Sequence, residues 1–161
     1  MANRLYRIAP ARFLEAYAGT GASYRDGARW NRPGDPVLYF ATSPSLAMLE
    51  MSHYLPSPRH VPASYRLGVY EVEAEEDAAE TLAPSALPDD WAGFPYPAAT
   101  QALGSAWLRS RRGLILRVPS CAVPGGLESI AVVNPLHEAI AGLRLVDTLA
   151  ARYNPRAFRR G

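Results

Sequence analysis

The chain contains no lysine: all 17 of its basic side chains are arginine. That absence removes Schiff-base chemistry and the phosphate-cradling lysine of P-loops. Cysteine is almost as scarce. Cys121 stands alone, so no intramolecular disulfide framework exists. Together with His53, His60 and His137 it shows no structural zinc spacing, and no metal is expected. No stretch approaches the roughly 18 apolar residues of a membrane span. The opening MANRLYRIAPARF lacks the apolar core of a secretory signal. The expectation is a cytoplasmic protein that makes no membrane contact. No G-x-S-x-G is present, which excludes the serine-hydrolase elbow. The Gly19-x-Gly21 pair lacks the third glycine and the strand–turn–helix context of a dinucleotide fold. A net charge of +2 is too small to argue for direct nucleic-acid binding.

What is present is an ordinary globular mixture, 48% hydrophobic and 20% charged over 161 residues, and one domain over 1–161 is expected. Its core is expected over about 4–147, with 148–161 a basic tail. Charge is uneven. Residues 71–80 carry six acids and no base, and the chain from Arg144 carries Arg144, Arg152, Arg156, Arg159 and Arg160 against Asp147 alone. Solvated faces are the ordinary reading of such blocks; a docking surface is the alternative.

Strands are predicted over 4–8, 37–41, 66–74, 114–120, 130–135 and 143–147. Helices are predicted over 11–17, from Pro44 to Tyr54 behind a Ser43 cap, and over 99–112 ending before Gly113. Residues 19–36, with Gly19, Gly21, Gly27 and Gly34, read as a long functional or mobile loop. Residues 75–97 also read as loop. Strands and helices do not alternate strictly, so the class is α+β.

Chemistry concentrates between Gly27 and Tyr54. Arg29 follows a glycine-led turn, Tyr39 lies within an apolar strand, and Glu50 falls on or beside the Leu46–Ala47–Leu49 stripe of the next helix. Taken singly, each has a bland reading: a loop-bracing arginine, a core tyrosine, a helix-edge carboxylate. Together they put an anion-binding fork, an aromatic face and an acid within one loop–strand–helix unit. Cys121 reads as a buried structural thiol.

The string DGARWNRPGDPVLYFATSPSLAMLEMSHY, residues 26–54, resembles the signature of RES-domain proteins: G-x-R-W-N, then P-V-L-Y-x-A, then a helix with L-A-x-L-E and a nearby His. Downstream, LRVPSCAVPG and VVNPLHE resemble the family's V-P-S and N-P-x-H segments, and RLYRI its opening strand. Ser129 and Glu138 depart from the family's habitual residues.

The resemblance implies a toxin of a bacterial toxin–antitoxin pair. The implied fold is like that of ADP-ribosyltransferases of the diphtheria-toxin kind, with a central split mixed or antiparallel sheet and flanking helices. It implies NAD as the substrate, cleaved at the nicotinamide–ribose bond. Water, phosphate or a protein side chain remain open as acceptors. An Xre-like helix-turn-helix antitoxin that blocks the active site is the implied partner; a catalytically inactive nucleotide- or antitoxin-binding module is the alternative. Residue chemistry agrees with these implications. Arg29, supported by Arg7, suits the pyrophosphate. Tyr39 suits the flat cationic nicotinamide, with Tyr6 and Tyr24 as further walls. Asn31, within the Arg-Trp-Asn string, joins the binding set. Glu50 suits the positive charge that builds on the ribose. Ser120 is a candidate for bonding the ribose or the carboxamide, and Asn134 is either a ligand contact or an Asn-Pro turn residue.

Overall fold

The computed structural model of the chain describes residues 3–55, 57, 60–73 and 78–158. Its frame is one seven-stranded sheet with the order β4-β5-β6-β2-β1-β3-β7. The strands are β1 (Asn3–Pro10), β2 (Leu38–Ala41), β3 (Tyr65–Val72), β4 (Ala79–Thr81), β5 (Ile115–Pro119), β6 (Ser129–Val133) and β7 (Leu143–Ala150). Only β4 and β5 run parallel; the other neighbours are antiparallel. The class is α+β.

The sheet has a seam. β1 pairs with β3 along its full length, from Asn3↔Val72 to Pro10↔Tyr65, and β2 pairs with β6 from Leu38↔Val133 to Ala41↔Ile130. Between β1 and β2 the register holds at Tyr6↔Ala41 alone. Two well-zipped halves therefore part at the centre of the sheet.

Side-chain alternation assigns the faces. Leu38 and Phe40 of β2 join Leu5, Tyr70, Val72, Ile115 and Val133 in one core cluster. Tyr39, between them, turns the other way and packs beside a second cluster of Trp30, Trp107, Leu108, Leu116, Val118 and Val132. Trp107 and Leu108 of that cluster come from α3 (Ala98–Ser110), whose C-cap Arg111 takes a left-handed φ of 52°. Helix α2 (Pro44–Ser52) starts as predicted, the Ser43 side chain accepting from the Leu46 amide.

Several expectations need correction. Residues 11–17 form only a 3-10 turn at Ala11–Phe13. The Phe13 and Leu14 carbonyls are taken by Arg7 Nη2 (2.6 and 3.3 Å), and the Leu14 carbonyl also by the Tyr70 hydroxyl (2.6 Å). A continuing α-helix would need those acceptors for itself. The 19–36 loop contains a one-turn helix, α1 (Ala22–Asp26). Leu49 is 41% exposed, whereas Leu46 and Ala47 are buried. At about 100° per residue the inward stripe runs through 46, 47, 50 and 51 and leaves position 49 outside. The 75–97 segment supplies β4, which no local pattern announces because its hydrogen bonds lie with β5. Helix α3 stops at Ser110, and β7 runs on to Ala150, past the predicted end of the strand. Residues 74–77 of the acidic stretch, with Arg159 and Arg160 of the tail, lie outside the described residues. No helix among the described residues is long and apolar enough to cross a membrane.

Candidate active site

A cavity of about 550 Å³ opens at the seam. Tyr6, Arg7 and Ile8 of β1 form one wall, Tyr39, Phe40 and Ala41 of β2 another, and Glu50 and Met51 of α2 a third. Ala28, Arg29 and Trp30 close one end, with Tyr96 of the loop before α3 and Cys121 just after β5.

Each wall has a local cause. Gly27 takes φ 76°, and a Cβ there would lie 2.9 Å from Pro33 Cδ, so the turn into Arg29 requires glycine. The turn closes through Ala28 N–H to the Asn31 carbonyl at 3.0 Å. Asn31 is fully buried; its Nδ2 donates to the Ser23 and Arg32 carbonyls at 2.8 and 3.1 Å. Its Oδ1 accepts from the Tyr39 hydroxyl at 2.6 Å. The Asn31 side chain therefore aims the Tyr39 ring. Burial raises the Tyr39 pKa far above the ordinary phenol value, which keeps the hydroxyl a donor at any physiological pH.

Glu50 stands on the wall that α2 supplies. Its Oε1 accepts from Ser120 Oγ at 2.5 Å, and Ser120 Oγ in turn accepts from the Ala122 amide at 3.0 Å. Ser120 is buried and does not line the cavity. Its immediate partner is thus the carboxylate, not the open space that a substrate would fill. Burial raises the Cys121 pKa, Arg29 lowers it and Glu50 raises it, so guanidinium and carboxylate act on the same corner of the cavity.

The two arginines differ. Arg29 Nη1 donates to the Trp91 and Gly93 carbonyls at 2.8 and 2.7 Å, and its guanidinium lies 5.2 Å over the Tyr96 ring. Arg7 lies 5.3 Å over Phe40 and 5.9 Å over Tyr70, with Nη2 on the two carbonyls described above. Its Nε is buried and has no hydrogen-bond partner among the described residues. Arg7 lines the cavity beside Arg29, so two guanidiniums place positive charge there, which suits an anion that the cavity admits.

The structure therefore brings together Arg7, Arg29, Tyr6, Tyr39 and Glu50 around one space, with Asn31 and Ser120 immediately behind it. Tyr24 is not on the wall; its neighbour Ser23 is. Asn134 lies elsewhere, in a separate hollow of about 140 Å³ with Asp35 and Arg109. Its Nδ2 donates to the Leu108 carbonyl and its Oδ1 accepts from the Leu136 amide, which is turn and helix-end bracing. Sequence reasoning missed His53, Tyr54, Phe94 and Tyr96, which line the mouth. Phe94-Pro95-Tyr96-Pro97 was the only local hint, an aromatic–proline alternation inside a predicted loop. Cys121, read as a buried thiol, is exposed on the rim, because it follows Ser120 into the turn after β5. Among the described residues no group of three or more His, Cys, Asp or Glu could hold a metal ion.

A family model described as the RES domain matches residues 4–154. A protein of Yersinia enterocolitica named Toxin Res is 36% identical over 157 residues, covering 94% of this chain and 97% of that protein. A Sphingobium protein named Prs ADP-ribosylating toxin is 35% identical over 164 residues, covering 99% of each. Among solved structures, the toxin–antitoxin complex MbcT-MbcA of M. tuberculosis contains a chain that superposes with a TM-score of 0.71. The match covers 98% of this chain and 87% of that one at 23% identity, which is a likeness of fold.

Proposed function

The chain belongs to the RES domain family, and from that membership we propose that it is the toxin of a toxin–antitoxin pair, acting by cleavage of NAD at the nicotinamide–ribose bond. One observation carries the reading. Glu50, held by Ser120, shares a cavity of about 550 Å³ with the guanidiniums of Arg7 and Arg29 and the ring of Tyr39. The relative named as an ADP-ribosylating toxin supports it.

The donor set fits the substrate. Arg7 and Arg29 both line the cavity, and a guanidinium beside pyrophosphate oxygens forms short charge-assisted bonds. The Tyr39 face suits a flat cationic ring by stacking and cation–π attraction. When the C1′–nitrogen bond breaks, its electron pair leaves with nicotinamide and positive charge builds on the ribose. Glu50 opposes that charge. The interaction is stronger in the transition state than in the ground state, which is the condition for catalysis. Ser120 donates to Oε1 and holds the carboxylate against rotation.

The acceptor of ADP-ribose is water, phosphate or a protein side chain. The partner we propose is an antitoxin of the Xre-like kind, seated over the cavity mouth; the solved neighbour of this fold, itself a toxin–antitoxin complex, supports a partner of that class. The test is incubation of the chain with NAD while free nicotinamide is followed. Release by the chain alone is expected for hydrolysis, and stimulation by phosphate for phosphorolysis. Release only with cell extract, with label on a protein band, is expected for transfer. A chain that releases no nicotinamide in any of these conditions is a binding module, and the proposal fails.

A further inference from the structure

The turn that carries Arg29 does not hold itself in place. Its internal closure is one bridge, Ala28↔Asn31, with bonds of 3.0 and 3.4 Å. The Asn31 side chain ties it to Ser23, Arg32 and Tyr39, and helix α3 adds two further bonds. Gln101 Nε2 donates to the Ala28 carbonyl at 3.0 Å, and Ser105 Oγ accepts from the Arg32 amide at 2.9 Å. Between them, a Cβ on Gly104 would fall 1.8 Å from the Trp30 carbonyl oxygen, so the turn lies directly on the helix backbone. Positions 101, 104 and 105 share one helical face. That face grips the chain at residues 28, 30 and 32, on both sides of Arg29.

We infer that Gln101 and Ser105 are positioning residues for Arg29. The inference rests on the proposed function for its catalytic consequence, since neither residue lines the cavity. Arg29 extends from this turn to the Trp91 and Gly93 carbonyls and to the Tyr96 ring. A shift of the backbone at residue 28 moves the guanidinium relative to both the loop and the cavity. Small misplacements of a binding group cost large factors in rate. The same displacement loosens the 91–96 segment, which Arg29 ties to the turn.

That link supplies a test independent of turnover. Hydrogen exchange is measured over 91–96 in the full chain, in Gln101→Met, which keeps length and loses the donor, in Arg29→Ala, and in the double variant. Gln101→Met is expected to speed exchange over 91–96 by about 10-fold, and the double variant to match Arg29→Ala within a factor of about two. Ser105→Ala serves as a second variant, with the same direction expected. Unchanged exchange at 91–96 in both single α3 variants overturns the inference. So does an effect of Gln101→Met that is undiminished in the Arg29→Ala background, which is what a merely structural role gives. In parallel, Gln101→Met is expected to lower kcat/KM for nicotinamide release by about 10-fold, through KM more than kcat. A native chain that releases no nicotinamide sinks the reading of function and leaves the exchange result to decide the positioning role alone.

Discussion

Ser120 Oγ stands 2.5 Å from Glu50 Oε1 and joins the residue after β5 to the last turns of α2 across 70 positions of sequence. The bond crosses no strand pairing and no helix. It exists because β5 ends, at Pro119, where α2 presents the inner stripe that contains Glu50.

Removing each partner separates their roles. Glu50→Gln keeps the acceptor for Ser120 and loses the charge; turnover is expected to fall by about 10²–10³-fold with little change in thermal midpoint. Ser120→Ala keeps the charge and loses its orientation; a fall of about 10-fold is expected, with a stability loss of about 1 kcal/mol from the Ala122 amide left unpaired. Nicotinamide release and thermal unfolding are the measurements. Equal losses for the two variants would place Ser120 on the substrate and not behind the carboxylate.

Asn31 and Tyr39 form the other supporting pair. Asn31→Ala empties a fully buried position that makes three side-chain hydrogen bonds, and a loss of about 2–3 kcal/mol is expected in urea unfolding. Tyr39→Phe keeps the stacking face and loses only the aim, so its turnover should lie between that of the native chain and that of Tyr39→Ala. A Phe variant as slow as the Ala variant would make the hydroxyl, and not the ring, the working group.

Gly104→Ala tests how closely the Arg29 turn lies on α3. In an exposed helix this change gains up to about 1 kcal/mol. Here the added Cβ meets the Trp30 carbonyl at 1.8 Å, a backbone atom that cannot swing aside. A net loss of about 1–3 kcal/mol is expected by denaturant titration. A stabilised variant would mean that the turn and the helix are further apart.

Alkali should unfold the chain through its buried phenols. Burial raises the Tyr70 pKa from 10.0 to about 12 and raises that of Tyr39 as well. A raised folded pKa means that the unfolded chain loses the proton first. The contribution to stability is complete below about pH 10 and is lost as pH climbs toward 12, at up to about 1.4 kcal/mol per pH unit for each such phenol. Denaturant midpoints across this range, with phenolate absorbance as a second probe, give the slope. A flat profile from pH 9 to about 11 would contradict the burial of both rings.

Much of this was legible along the chain. The Ser43 cap and the Pro44 start of α2, the apolar β2, and the glycine-led turn into Arg29 are local devices, and each formed where local rules put it. The convergence of Arg29, Tyr39 and Glu50 followed from a loop–strand–helix unit too short to separate them. The partners of these groups were not legible. Arg29 meets carbonyls at 91 and 93, and Tyr96 enters the same cavity, because α3 returns to the turn from 73 residues downstream. The predicted helix at 11–17 failed for a related reason: its carbonyls were claimed by Arg7 and Tyr70, one of them 56 residues away.

By itself the sequence determined most of the strands, the start of α2, the glycine-led turn into Arg29 and the family likeness, because caps, turns and periodicity act between residues a few positions apart. The tertiary structure decided the seam between β1 and β2, the hold of Ser120 on Glu50, the orphaned Nε of Arg7 and the grip of α3 on the Arg29 turn. Those depend on which strands become neighbours and how closely their side chains then pack. Pairing across tens of residues leaves no periodic trace in the segments that it joins.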